Sequence, residues 1–194
     1  AFEFALKLLD MEKYDEVYNL SSVLRDEWGY PLKAQVLLAQ REYEDALELF
    51  LRYIDLLPED ERDLYRNIST VGSPEEVAAY GETPSEEREA FLQRFWFERD
   101  PFKTSGGAMR RAEHCRRVWY AKRFFGESKW PWDRRGEVYI RFGEPDWRSS
   151  WDNINARIPI KVQRIQEKAA FQLYGREATG MTFYGPVYPI RTAR

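Results

Sequence analysis

One stretch of this chain occurs twice. Leu8-Leu9-Asp10-Met11-Glu12-Lys13-Tyr14-Asp15-Glu16-Val17 returns 29 residues later as Leu37-Leu38-Ala39-Gln40-Arg41-Glu42-Tyr43-Glu44-Asp45-Ala46. Each copy reads as the end of one helix, a tight polar turn, and a second helix opened by an aromatic residue. In the second copy Tyr43, Ala46, Leu47, Phe50, Ile54 and Leu57 fall on one helical stripe, and Pro58 stops it. Ala46 is small enough to let the paired helix approach closely, with Tyr43 and Phe50 filling the space on either side. In the first copy Val17 takes the small position, and Trp28-Gly29-Tyr30-Pro31 reads as the connection to the second. An amphipathic hairpin cannot bury its apolar face alone, so further helices, a second domain or a partner chain must complete the stack.

The run Gln40-Arg41-Glu42-Tyr43-Glu44-Asp45-Ala46, followed by Phe50 and Pro58, resembles a tetratricopeptide-type repeat, although the spacing is shorter than the usual ~34 residues. The resemblance implies helical hairpins with a concave face that recruits a protein partner. Tyr14, Tyr43 and Phe50 are the contacts expected on or near that face.

After Pro58 helical periodicity lapses until Thr83. Ser73-Pro74-Glu75-Glu76 is a capping box with proline at the first helical position, and Thr83-Pro84-Ser85-Glu86 repeats the device ahead of a helix bearing Phe91, Leu92, Phe95 and Trp96. Arg99-Asp100-Pro101 ends that helix, where Asp100 is expected to accept from backbone amides or to pair with Arg116 or Arg117. A helix from about Met109 to Phe125 comes next. Val138-Tyr139-Ile140-Arg141-Phe142 then alternates as a half-buried strand should, closed by a turn at Gly143-Glu144-Pro145-Asp146. A further helix is expected near Ile158 to Leu173, and a tail with Gly175, Gly180, Gly185, Pro186 and Pro189 among aromatics predicts extended structure open to strand addition. The expected fold is thus α+β and mostly helical. Tetratricopeptide-like hairpins occupy 1–58, a linker with a short helix 59–83, and a small α/β domain with a short antiparallel sheet 84–194.

The net charge of −3 hides a division. Residues 1–100 carry 24 acidic and 11 basic side chains, whereas residues 101–194 carry 9 and 19. Such halves attract each other or attract different partners. Hydrophobic residues at 43% and aromatics at 16% supply enough apolar surface for a core and argue against general disorder. From Lys103 to Arg135 basic residues interleave with Trp119, Tyr120, Phe124, Phe125, Trp130 and Trp132, the mixture that grips phosphates and stacks bases. Those cations spread round more than one helical face, which makes single-stranded nucleic acid the secondary reading and a protein-facing or intramolecular surface the first. No apolar run approaches the ~18 residues of a membrane span, and the start at Ala1-Phe2-Glu3-Phe4 reads as a processed or partly visible terminus that leaves a removed signal peptide open.

The succession Phe95-Trp96-Phe97-Glu98-Arg99-Asp100-Pro101, Glu113-His114-Cys115-Arg116-Arg117-Val118-Trp119-Tyr120-Ala121 and Trp130-Pro131-Trp132-Asp133-Arg134-Arg135-Gly136-Glu137-Val138-Tyr139-Ile140-Arg141-Phe142-Gly143-Glu144-Pro145-Asp146 resembles the bacterial GWxTD-domain family. In the naming motif Lys129 replaces Gly, Trp132 replaces Thr and Arg135 is extra. The resemblance implies exported envelope proteins, often with helical repeats attached, and no catalytic activity.

Enzymatic readings find no support in the sequence. His114 and Cys115 are the only residues of their kinds, and adjacent helical residues point ~100° apart, so they cannot form a local dyad. No Walker or Rossmann glycine pattern surrounds Gly106-Gly107. The expectation is therefore a non-catalytic scaffold or accessory subunit in a larger bacterial assembly, periplasmic or envelope-associated, with a cytoplasmic alternative. No catalytic residue, cofactor, metal or small-molecule substrate is expected. Its partners would be other protein subunits, met through Tyr14, Tyr43, Phe50, Arg110, Arg116, Arg117 and Arg123.

Overall fold

The sequence repeat is also a backbone repeat. The computed structural model describes residues 1–100, 103, 105–126, 129–144 and 160–174. Helix α1 (Phe2–Asp10) turns into α2 (Tyr14–Ser21), and α3 (Asp26–Ala39) turns into α4 (Tyr43–Asp55). After α1 the Lys13 amide donates to the Leu8 carbonyl and the Glu12 amide to that of Leu9, both at 3.0 Å. Twenty-nine positions on, the Glu42 amide donates to Leu37 at 2.9 Å and the Arg41 amide to Leu38 at 3.1 Å. This double closure is a Schellman stop, which puts a left-handed residue just past the helix. Glu12 (φ 57°) and Arg41 (φ 68°) fill that place without the help of glycine.

Trp28-Gly29-Tyr30-Pro31 is no connection but lies within α3, with Pro31 in the helix interior. Gly29 serves a close approach rather than a bend. A Cβ there would stand 2.6 Å from the Ser21 carbonyl oxygen at the end of α2.

Five helices follow: α5 (Glu59–Arg66), α6 (Pro74–Glu82), α7 (Arg88–Arg99), α8 (Ala108–Phe125) and α9 (Arg134–Phe142). The capping box at α6 forms as its sequence predicts, with the Ser73 hydroxyl accepting from the Glu76 amide and the Glu76 carboxylate from the Ser73 amide at 2.7 Å. The second box does not form. The Thr83 hydroxyl donates back to the Ala79 carbonyl at 2.7 Å, residues 85–87 make a turn, and α7 begins only at Arg88. Asp100 ends α7 fully buried, accepting from the Ser105 hydroxyl and from the Gly107 amide at 3.3 Å. These bonds tie the end of α7 to the start of α8.

The architecture is organised round α8. Ala112, Cys115, Val118, Trp119 and Ala121 of this helix share one core with Leu8, Val17, Leu32, Ala46, Phe50 and Ile54 of the hairpins and with Ile140 of α9. It packs most extensively on α4 and α9, and also on α3, α5 and α7. The face that the hairpins could not cover for themselves is therefore covered from within the chain. A smaller cluster of Ile68, Leu92, Phe95 and Trp96 joins α7 to Val77 and Tyr80 of α6.

The expected antiparallel sheet does not occur among the described residues. No strand occurs among the described residues, and 74% of them are helical. Residues 138–142 are the second half of α9, and local chemistry explains why. The Asp133 carboxylate accepts from the Arg135 amide at 2.8 Å as an N-cap, and Gly143 (φ 85°) ends the helix. Gly136, Tyr139 and Ile140 are buried at helical spacing, while Val138 and Phe142, which alternate with Ile140, are exposed. Gly136 serves a close approach: a Cβ there would lie 2.6 Å from the Trp132 side chain, so the indole rests on bare backbone. A five-residue alternation is too short to separate the two periods, and the caps decide the outcome.

Residues 1–145 form one compact unit. Residues 146–194 form a second, whose described element is α10 (Ile160–Tyr174). The expected tail past Tyr174 and the end of the Gly143-Glu144-Pro145-Asp146 turn lie outside the described residues. No helix among the described residues is long and apolar enough to cross a membrane.

Candidate interaction surface

The basic half of the sequence turns much of its charge on the acidic half. On α8, Arg111 makes a two-pronged pair with Glu89 (2.5 and 3.0 Å), Lys122 pairs with Glu61, and Arg123 pairs with Glu3. Within the acidic half itself, Arg99 at the end of α7 grips Glu76 through both carboxylate oxygens, at 2.6 and 2.7 Å. Most of these pairs are half-buried, so part of each attraction goes to offsetting lost hydration; apolar burial against α8 dominates the docking and the charges set its register.

The residues expected to meet a partner have these places. Tyr14 and Tyr43 are half-buried, Tyr14 against the core, and Phe50 is 0% exposed within it. Arg110 donates from Nε to the Arg99 carbonyl at 3.2 Å. Arg116 binds Glu113 at 2.7 and 2.9 Å and donates to the Tyr139 hydroxyl at 3.1 Å. Arg117 shares Glu113 at 2.7 Å and donates from Nη1 to the carbonyls of Ile140 (3.2 Å) and Arg141 (3.4 Å), closing the C-terminus of α9. Arg123 also lies over the Phe2 ring at 5.1 Å and the Trp28 ring at 5.8 Å. Arg110 and Arg117 come together on one face of α8, whereas Arg123 belongs to a different cleft, of about 420 Å³, with Trp28 and Trp119.

Burial sets the character of the titratable groups on α8. It would raise the pKa of Glu113, but hydrogen bonds and charge from Arg116 and then Arg117 outweigh it and hold the carboxylate below its ordinary value. Burial pushes the Cys115 thiol up to about 12, so it stays protonated and unreactive at neutral pH. It also lowers His114 to about 4, reinforced by the charges of Arg117 and Arg111, while a loose backbone contact at Tyr65 and the charge of Glu113 act the other way. The Tyr65 contact falls outside hydrogen-bond geometry, and neither ring nitrogen of His114 has a partner among the described residues. The Trp96 ring lies against the imidazole at 4.8 Å. Among the described residues no three His, Cys, Asp or Glu side chains gather as metal ligands.

A surface that the strand reading concealed is the outer face of α9. Val138 and Phe142 lie one helical turn apart and are 57% and 72% exposed. They border a groove of about 540 Å³ with Leu64, Pro131, Trp132 and Arg141, and Lys129 also lines it. Nearby Trp130 is 58% exposed. A helical reading of residues 134–142 would have found the face, because an i, i+4 apolar pair opposite the buried Gly136, Tyr139 and Ile140 has no place in the core. No family model, no curated protein and no solved structure matches the chain.

Proposed function

We propose that this chain is a non-catalytic accessory or scaffolding subunit that docks a protein partner on the outer face of α9. The supporting observation is the pair Val138 and Phe142, large apolar side chains left in water beside a groove of about 540 Å³. Apolar patches rimmed by polar groups mark interaction sites. Lys129 and Arg141 line the groove against the single carboxylate of Glu137, so the fitting partner is an amphipathic segment with two or three large apolar anchors and acidic flanks. The resemblance to the GWxTD-domain and tetratricopeptide families leads us to place the assembly in a bacterial envelope compartment.

The test is a displayed library of amphipathic peptides, selected against the full chain and reselected against Phe142→Asp. Both side chains at stake are exposed, so the variant keeps the fold. Selected peptides should combine apolar anchors with acidic residues and lose at least about tenfold in affinity for the variant, as a central anchor does. Binders of other composition, or binders indifferent to Phe142→Asp, would refute the docking face. The nucleic-acid alternative rests on the basic, aromatic segment from Lys103 to Arg135, in which Arg111, Arg116, Arg117, Lys122 and Arg123 pair with the chain's own carboxylates.

A further inference from the structure

A different cavity, of about 250 Å³, lies where the end of α7, one face of α8 and the end of α9 meet. Arg110, Glu113, His114 and Arg117 line it at successive turns of α8, Arg99 enters from α7 and Arg141 from α9. Four arginines thus line this space against one carboxylate. Glu113 is shared by Arg116 and Arg117, and Arg99 is neutralised by Glu76. Arg110 and Arg141 have no carboxylate partner among the described residues, Arg110 giving only its Nε to a carbonyl and Arg141 lying over the Phe142 ring. An excess of positive charge around a partly enclosed space is costly unless an anion joins it.

A second observation points the same way and does not depend on the arginines. His114 lines this cavity, is buried, and has both ring nitrogens without a hydrogen-bond partner among the described residues. Neutral imidazole carries one N–H donor, and a buried donor left unmade is rare enough to require an explanation. We propose that the cavity binds a phosphate group, free or carried on a small organic molecule. Planar guanidinium groups match phosphate oxygens in pairs, and the imidazole, whose nitrogens are withdrawn from the open space, lies close enough to feel the anion's charge. The apolar wall of Trp96 and Ile140 suits a short organic substituent. Arg141 also lines the docking groove of α9, whereas Arg110 and His114 line this cavity and not that groove, so the His114 signal and Arg110→Gln test the phosphate site independently of the docking face.

His114 is the chain's only histidine, so it provides a single imidazole signal in nuclear magnetic resonance spectra. The full chain is titrated with inorganic phosphate, with glycerol 3-phosphate, and with phosphatidylcholine vesicles containing phosphatidic acid, against sodium chloride at equal ionic strength. Phosphate should move the His114 ring signals and raise its titration midpoint from about 4, by about one unit or more, as a nearby opposite charge does. That rise must overcome Arg99, Arg110, Arg111, Arg117 and Arg141 on the cationic side and is aided by Glu113. Arg141→Gln, at an exposed position that leaves the fold intact, should weaken phosphate binding about tenfold, and Arg110→Gln should do likewise. A response to the soluble probes assigns a small-molecule phosphate, and a response confined to the vesicles assigns a lipid headgroup phosphate; both uphold the site. An unmoved His114 signal, an equal effect of chloride, or unchanged binding by Arg141→Gln would overturn it.

Discussion

His114 makes the clearest statement at the scale of single residues. In the unfolded chain its imidazole takes up a proton near its ordinary value of 6.5, whereas in the folded chain burial and the charges of Arg117 and Arg111 delay protonation to about 4. Between those values the unfolded state holds more protons, so lowering the pH from about 6.5 to about 4 destabilises the fold, and below that the loss levels off. The total is about 3 kcal/mol. Denaturation in urea at a series of pH values should show this slope, and His114→Leu should flatten it; an unaltered slope would mean that other groups govern the acid transition. The sequence already excluded a dyad with Cys115, because that follows from helix geometry alone. It did not reveal where the cations of α8 point, because the partners of Arg111, Lys122 and Arg123 lie 22, 61 and 120 residues away.

Helices and turns were legible where their determinants are local. The box at Ser73 and the paired helix stops at Glu12 and Arg41 each depend on a handful of adjacent residues. Residues 138–142 are helical because the Asp133 cap outweighs a five-residue alternation, and Thr83 caps no following helix because a hydroxyl between two helices can serve either one. Replacing Arg41 (φ 68°) by glycine should relieve left-handed backbone strain and raise the unfolding free energy by up to about 1 kcal/mol, measured by chemical denaturation. Gly136→Ala should act in the opposite sense. Its methyl group would stand 2.6 Å from Trp132, and displacing the indole should cost about 1–3 kcal/mol, with a lower thermal midpoint.

At the scale of the whole molecule, the charge division between the halves was evident in the sequence, but its outcome was not. Composition says that opposite charges will meet and leaves open whether they meet within one chain. The shared core settles the matter within residues 1–145. Phe50→Ala, which empties a fully buried site under α8, should cost about 3–5 kcal/mol in equilibrium unfolding. Reversing one of the joining pairs with Glu61→Lys, by contrast, should cost less, about 1–3 kcal/mol, and be partly offset by Lys122→Glu in the same chain. If the charge reversal proved the costlier of the two, ion pairing rather than apolar contact would be what holds the halves together.

The position of α8 in the chain also affects how the molecule is made. The hairpin helices are complete by Asp55, yet the helix that shields them begins at Ala108. A ribosome making the chain from N- to C-terminus therefore exposes a greasy ridge before its cover, which follows some fifty residues later, an interval of several seconds at ordinary elongation speeds of about 5–20 residues per second. During that interval the nascent chain is a target for chaperones and for unwanted self-association.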